Sequence, residues 1–169
     1  MSPRPIGFVW PRACGDGGGE YRHGNAVVDR AIREGRIRYR EGGYRYVLVE
    51  DYGCRLAGVQ ASDVIEIYYE LHRSGYLIVR AGYAWDGASG PAVDSRSVIR
   101  ASLIHDCLYQ MLREGQLPQS DRAAADLEFR RLCLEDGMSA LRAWWLYRGI
   151  RIGGGPSAAP RGDEIREAP

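Results

Sequence analysis

The segment Ala101-Ser102-Leu103-Ile104-His105-Asp106-Cys107-Leu108-Tyr109 sets a histidine, an adjacent acid and a tyrosine into an otherwise apolar run. Read as a helix, it stacks His105 and Tyr109 on one face and turns Asp106 about 100° away. Ionisable groups on an apolar helix face cost free energy unless they are paired or used. A second acid, Asp126, follows in another strongly helical stretch. The chemistry open to this set is general base catalysis. An ionised Asp126 would take a hydrogen bond from one imidazole nitrogen of His105 and fix the tautomer. The other nitrogen is then left to accept a proton from water. The same groups also suit a buried hydrogen-bond cluster that only locks two helices together.

The two stretches are joined by a short connection, so they should be antiparallel neighbours. With the turn centred near Gln116, His105 lies eleven residues before it and Asp126 ten after it. At roughly 1.5 Å rise per residue their heights differ by about one step. A second candidate element is the loop Asp86-Gly87-Ala88-Ser89-Gly90, which Trp85 can anchor. Its small residues let backbone groups approach an ion or ligand closely; alternatively, Asp86 caps a turn between strand and helix. His23 and His72 read as surface or loop histidines. With no further histidine beside His105, a metal phosphohydrolase of the HD type is disfavoured.

The elements that must hold these groups follow from pattern. Residues 1–24 are rich in Gly and Pro and read as a flexible arm. Val27 to Glu34 reads as a short helix. Tyr44 to Val49 is a β run, and a continuous alternating strand is expected over Val64–Leu71. The turn His72-Arg73-Ser74-Gly75 then joins it to Tyr76–Val79 as a hairpin. After the small-residue loop everything reads as helix. The first helix spans about Val98–Arg113, stopped by Gly115 with Pro118 beyond. The second follows Ser120 as N-cap and stops at Gly137. The third runs from about Ser139 to Ile152. Tyr68, Tyr69, Trp144 and Trp145 are expected as core and rim residues. Strands first and helices second predict an α+β fold: antiparallel strands and a hairpin, then a bundle of three helices. One domain is expected over 25–152, with a disordered tail over 153–169.

Composition bounds the rest. The 169 residues are 45% hydrophobic and 27% charged, with a net charge of +1. No global field draws the chain to nucleic acid or an anionic surface. Every one of the 23 basic residues is arginine. Codon bias in a GC-rich genome accounts for that, and selection for bidentate anion contacts is the sharper alternative. The cysteines Cys14, Cys54, Cys107 and Cys133 form no CxxC pair, which argues against a zinc ribbon or a thioredoxin-type site. No apolar run approaches a membrane span, and the start Met1-Ser2-Pro3-Arg4-Pro5 lacks a signal-peptide core. A cytoplasmic protein is expected, with association to a virion as the other setting.

Two resemblances rest on these residues. Trp85-Asp86-Gly87-Ala88-Ser89-Gly90-Pro91, His105-Asp106-Cys107-Leu108-Tyr109 and Ala125-Asp126 with Phe129 resemble the domain of unknown function 1353. That resemblance covers roughly 40–155 and implies a phage or prophage setting. The histidine, adjacent aspartate and tyrosine four residues on also resemble the active-site helix of secreted phospholipase A2. This implies His105 as the base that activates water, Asp126 as its orienter and Tyr109 in support. It further implies Ca²⁺ held by Asp106, with Asp86, Gly87 and Gly90 as the loop. The chain lacks the disulfide pattern of those enzymes, and no amphipathic membrane-docking segment stands out.

Three function classes stay open. One is a metal-assisted hydrolase acting on an ester, an amide or cell-envelope material. A second is a phage virion or morphogenesis protein whose His-Asp-Tyr cluster is structural. The third is a small protein that binds a phage or host partner.

Overall fold

The computed structural model describes residue 37, the backbone of 39–40, and residues 46–59, 63–87 and 95–160. The expected arm over 1–24, the helix over Val27–Glu34, and Ala88 to Gly90 of the small-residue loop lie outside them. Seven short strands come first among the described residues: β1 (Tyr39–Arg40), β2 (Tyr46–Leu48), β3 (Tyr52–Arg55), β4 (Val64–Ile65), β5 (Tyr69–Leu71), β6 (Tyr76–Val79) and β7 (Ala84–Trp85). Helices follow: α1 (Arg96–Arg113), a 3-10 turn (Gln119–Asp121), α2 (Arg122–Glu135), α3 (Ala140–Gly153) and the short α4 (Gly155–Ala158). The order is α+β, as the pattern predicts.

The strands form two antiparallel sheets, ordered β1-β2-β7 and β3-β6-β5-β4. Asp51 pins the corner where the chain leaves one sheet for the other. Its carboxylate accepts the Ala81 amide at 2.8 Å and the Arg80 guanidinium at 2.7 Å. The hairpin β5–β6 forms with its turn at His72–Gly75, where the His72 amide donates to the Tyr76 carbonyl at 2.9 Å.

The continuous strand expected over Val64–Leu71 does not form. The chain reverses at Glu66–Tyr68, and β4 pairs back onto β5 with Val64 opposite Leu71. The reason is burial. Alternation over 64–71 puts Ile65, Ile67, Tyr69 and Leu71 on one face and the acids Glu66 and Glu70 on the other, yet only Tyr69, Glu70 and Leu71 lie beside β6, and Val64 comes back to pair with Leu71. The reversal buries all of β5 beside β6 and leaves Ile65 and Ile67 exposed. Tyr69 then reaches the helical layer, where its hydroxyl donates to Glu114 at 2.6 Å.

α1 is the central rod, buried on almost every side from Val98 to Leu112. A helix apolar all round belongs inside a domain, and this one packs between the sheet residues Leu71, Leu77 and Val79 and the α2 residues Phe129 and Leu132. The ends of α1 and α2 are set by Gly115 (φ 72°) and Gly137 (φ 83°), whose left-handed backbone suits glycine. The amides of Gln116 and Met138 donate back to Met111 and Cys133, closing each helix. Ser120 is not the cap expected of it: the 3-10 turn takes it up, and α2 starts one residue after Asp121. Ser139 does cap α3, accepting from the Arg142 amide. Beyond α3 the chain is not all tail, because α4 packs Ala158 fully into the core. Of the four cysteines, Cys54, Cys107 and Cys133 are buried, and Cys107 and Cys133 are free thiols.

Candidate functional site

The antiparallel α1–α2 hairpin brings His105 and Asp126 together at the height the residue count requires. His105 Nε2 lies 2.9 Å from Asp126 Oδ1. The Tyr109 hydroxyl donates to that same oxygen at 2.7 Å. The imidazole stacks against the Tyr109 ring at 4.0 Å and meets the edge of Phe129 at 5.4 Å. Asp126 is 0% exposed and His105 8%. The tautomer is therefore set from inside the protein. Nδ1 turns toward Asp106, whose Oδ1 lies 3.9 Å away, beyond hydrogen-bond length.

Three groups that sequence reasoning missed complete the arrangement. Arg151, from the end of α3, donates to Asp126 Oδ2 at 2.8 Å, so both carboxylate oxygens are engaged. Arg122 donates to the Tyr109 hydroxyl at 3.2 Å, and its other arm binds the carbonyls of Ile150 and Arg151. The place of Arg122 one helical turn before Asp126 was a usable signal. Arg151 had none, since only tertiary packing brings it in. The third is Gly154, which lies against Tyr109. A Cβ there would sit 2.7 Å from the Tyr109 hydroxyl and 2.6 Å from the Ile150 carbonyl. Gly154→Ala is accordingly expected to lower stability by about 1–3 kcal/mol through overpacking. Urea unfolding measures it, and an unchanged midpoint would contradict this close approach.

The electrostatics follow from the partners. Burial disfavours the His105 cation, but the Asp106 and Asp126 carboxylates outweigh it and raise the imidazole above the ordinary histidine value. Burial alone would raise Asp126; the donors His105, Tyr109 and Arg151 bring its carboxyl below the usual aspartate range. Burial and the bond to Asp126 push the Tyr109 phenol up to about 12. Asp106 is raised, first by burial and also by the charge of Asp86, while His105 and Arg113 oppose the rise.

The remaining predicted site residues are placed less tightly. Asp106 keeps about a third of its side chain exposed (32%). Asp86 is exposed and near enough for its charge to act on Asp106. Gly87 is buried, and Gly90 falls outside the described residues. Trp85 does anchor the start of the loop, donating from its indole to Ser102 Oγ at 3.1 Å. Among the described residues no group of three or more His, Cys, Asp or Glu gathers as a metal site.

Fold and clasp together define an α+β protein built around a helical hairpin with a carboxylate-oriented histidine. Residues 64–150 match the family model described as a protein of unknown function (DUF1353). The match covers more than half of the chain, and the chain belongs to that family. It takes in His105, Tyr109 and Asp126 and ends one residue before Arg151. The chain matches no curated protein and no solved structure.

Proposed function

We propose that the hairpin is a hydrolase site in which His105 acts as general base toward a water at Nδ1. The observation that carries this reading is the 2.9 Å contact of Nε2 with an Asp126 whose other oxygen is held by Arg151. An imidazole whose Nε2–H is fixed by an immobile carboxylate holds the lone pair of Nδ1 in one direction. Tyr109 and Arg122 keep Asp126 from turning away. The likeness to the helix of secreted phospholipase A2 supports the same roles for His105, Asp126 and Tyr109. The substrate class is an ester, an amide or envelope material, and the setting is a phage or prophage, in the host cytoplasm or on a virion.

A hard divalent cation, Ca²⁺ first, fits beside this base at Asp106. The charge of Asp86 adds to the cost of ionising Asp106, and a cation beside Asp106 would relieve that cost. Asp106 and Asp86 would hold the ion. Two carboxylates leave most of the roughly six to eight oxygens of Ca²⁺ to be found elsewhere, with the backbone at Gly87 and Gly90 as the loop's contribution. When bound, such an ion polarises the substrate carbonyl.

A second reading has its own support. His105 and Asp126 are both buried, as in a clasp that only ties α1, α2 and α3 together in a virion or partner-binding protein. A panel of esters, amides and envelope fragments separates the two, run on the full chain with and without Ca²⁺ or Zn²⁺. At least one substrate is expected to turn over, with His105→Ala slower by about 10²–10⁴-fold. Equal turnover by that variant, or none by the wild type, leaves the structural clasp standing.

A further inference from the structure

α3 is apolar on two sides. Its inner side packs Ala143, Leu146 and Ile150 against the core, as an amphipathic helix should. The outer side should then be polar, and it is not. At about 100° per residue, Leu141, Trp145 and Ile152 fall in one narrow stripe. They are 69%, 63% and 79% exposed. Gly149 lies at the edge of the stripe beside Arg142, with open space where a Cβ would be. Arg142 flanks the stripe on one side; Arg148 flanks it on the other, its guanidinium 5.8 Å over the exposed Trp144 ring. Trp144 and Trp145 pack edge to face at 5.0 Å. From Ser139 to Pro160 the chain has three arginines and no acidic residue.

We propose that the outer face of α3 is a docking surface for an anionic lipid bilayer. An apolar stripe edged by arginine and tryptophan is what a helix lying in a membrane interface presents. Tryptophan sits at the boundary between headgroups and chains. Arginine lays its stem along the apolar surface and sends its charge to the phosphates. Charge decides the occupant. A second copy seated on this face would bring two arginine-edged faces together with no acid between Ser139 and Pro160 to pair them. Nucleic acid would satisfy the arginines but leave Leu141 and Ile152 against polar backbone. No helix among the described residues is long and apolar enough to cross a membrane, so α3 lies on the surface. The face needs no activity at His105.

The test is co-sedimentation of the full chain with vesicles. One set is phosphatidylcholine alone; the other is phosphatidylcholine with an equal part of phosphatidylglycerol. Partition onto the anionic vesicles is expected to be about tenfold or more stronger, and to weaken with salt. Trp145 fluorescence should shift to the blue on binding. Leu141→Ala with Trp145→Ala is expected to lower partition by about tenfold, and Arg142→Gln with Arg148→Gln by a similar factor on anionic vesicles only. Melting temperature checks that each variant is folded; Leu141→Ala with Ile152→Ser replaces the first pair if it is not. Failure of the wild type to bind overturns the proposal, as does equal binding to both vesicle types or by the variants. A dimer that Trp145→Ala dissolves overturns it in favour of a second copy. Binding to an oligonucleotide that anionic vesicles cannot displace overturns it in favour of nucleic acid.

Discussion

Asp126→Ala is expected to lower the stability of the protein by about 3–5 kcal/mol, since it breaks a buried ionic network by removing its common acceptor. The carboxylate is fully buried and takes three donors from two elements: His105 and Tyr109 on α1, and Arg151 on α3. Arg151 is a third exposed and can turn to water, so the cost falls mainly on His105, Tyr109 and the void left behind. Asp126→Asn, with nearly the same volume, separates charge from packing. The Asp126 carboxyl is lowered on folding, so its stabilisation is present above the unfolded value of about 3.9. That stabilisation is lost as pH falls through the lowered folded value. His105 is raised, so its share is complete below about 6.5 and is lost as pH climbs through the raised value. The stability gap between wild type and Asp126→Asn should accordingly be widest at mildly acidic pH and close toward pH 2. Urea unfolding across pH 2–8 measures it. A gap that stays constant would mean that the carboxylate's charge does not hold the clasp.

What the sequence disclosed of this site it disclosed through helix geometry. The 3.6-residue period placed Tyr109 over His105. A count of residues about a short turn placed Asp126 opposite, because rise per residue is nearly constant in any helix. The strand region was harder to read. Over 64–71 the alternation fits one amphipathic strand with Ile65, Ile67, Tyr69 and Leu71 on one face, and only the tertiary partners of Tyr69 and Leu71 set the reversal that leaves Ile65 and Ile67 outside. Arg151 and Gly154 show the same limit. Each matters through contact with a residue more than twenty positions away, and neither sits in a local pattern that marks it. The stretch after α3 is hard to read for a related reason: Gly153-Gly154-Gly155-Pro156 reads as linker, yet glycine at 154 is what lets the backbone pass Tyr109 so that Ala158 can pack. The outer face of α3 went unseen because a pattern of apolar residues says nothing about which of two apolar sides is covered.

The kinetic counterpart of the clasp is the sharper test of its chemistry. On whichever ester or amide the panel selects, Asp126→Asn is expected to lower kcat by about 10²–10⁴-fold, the range a positioned base contributes. KM should change little. Asp126 is a positioning residue, buried behind the imidazole, and has no route to substrate. With aspartate, Nε2 must carry the proton that the carboxylate accepts, so Nδ1 keeps its lone pair for water. Asparagine can instead offer its own N–H to Nε2, which moves the imidazole proton to Nδ1 and blocks the base. Such a loss appears in kcat and in kcat/KM alike, because it removes an interaction made only in the transition state. Tyr109→Phe leaves the tautomer in place and removes one of two donors to Oδ1, so a smaller fall is expected, about tenfold. A purely structural clasp would order the variants by stability alone, and turnover per folded molecule would be equal in all three.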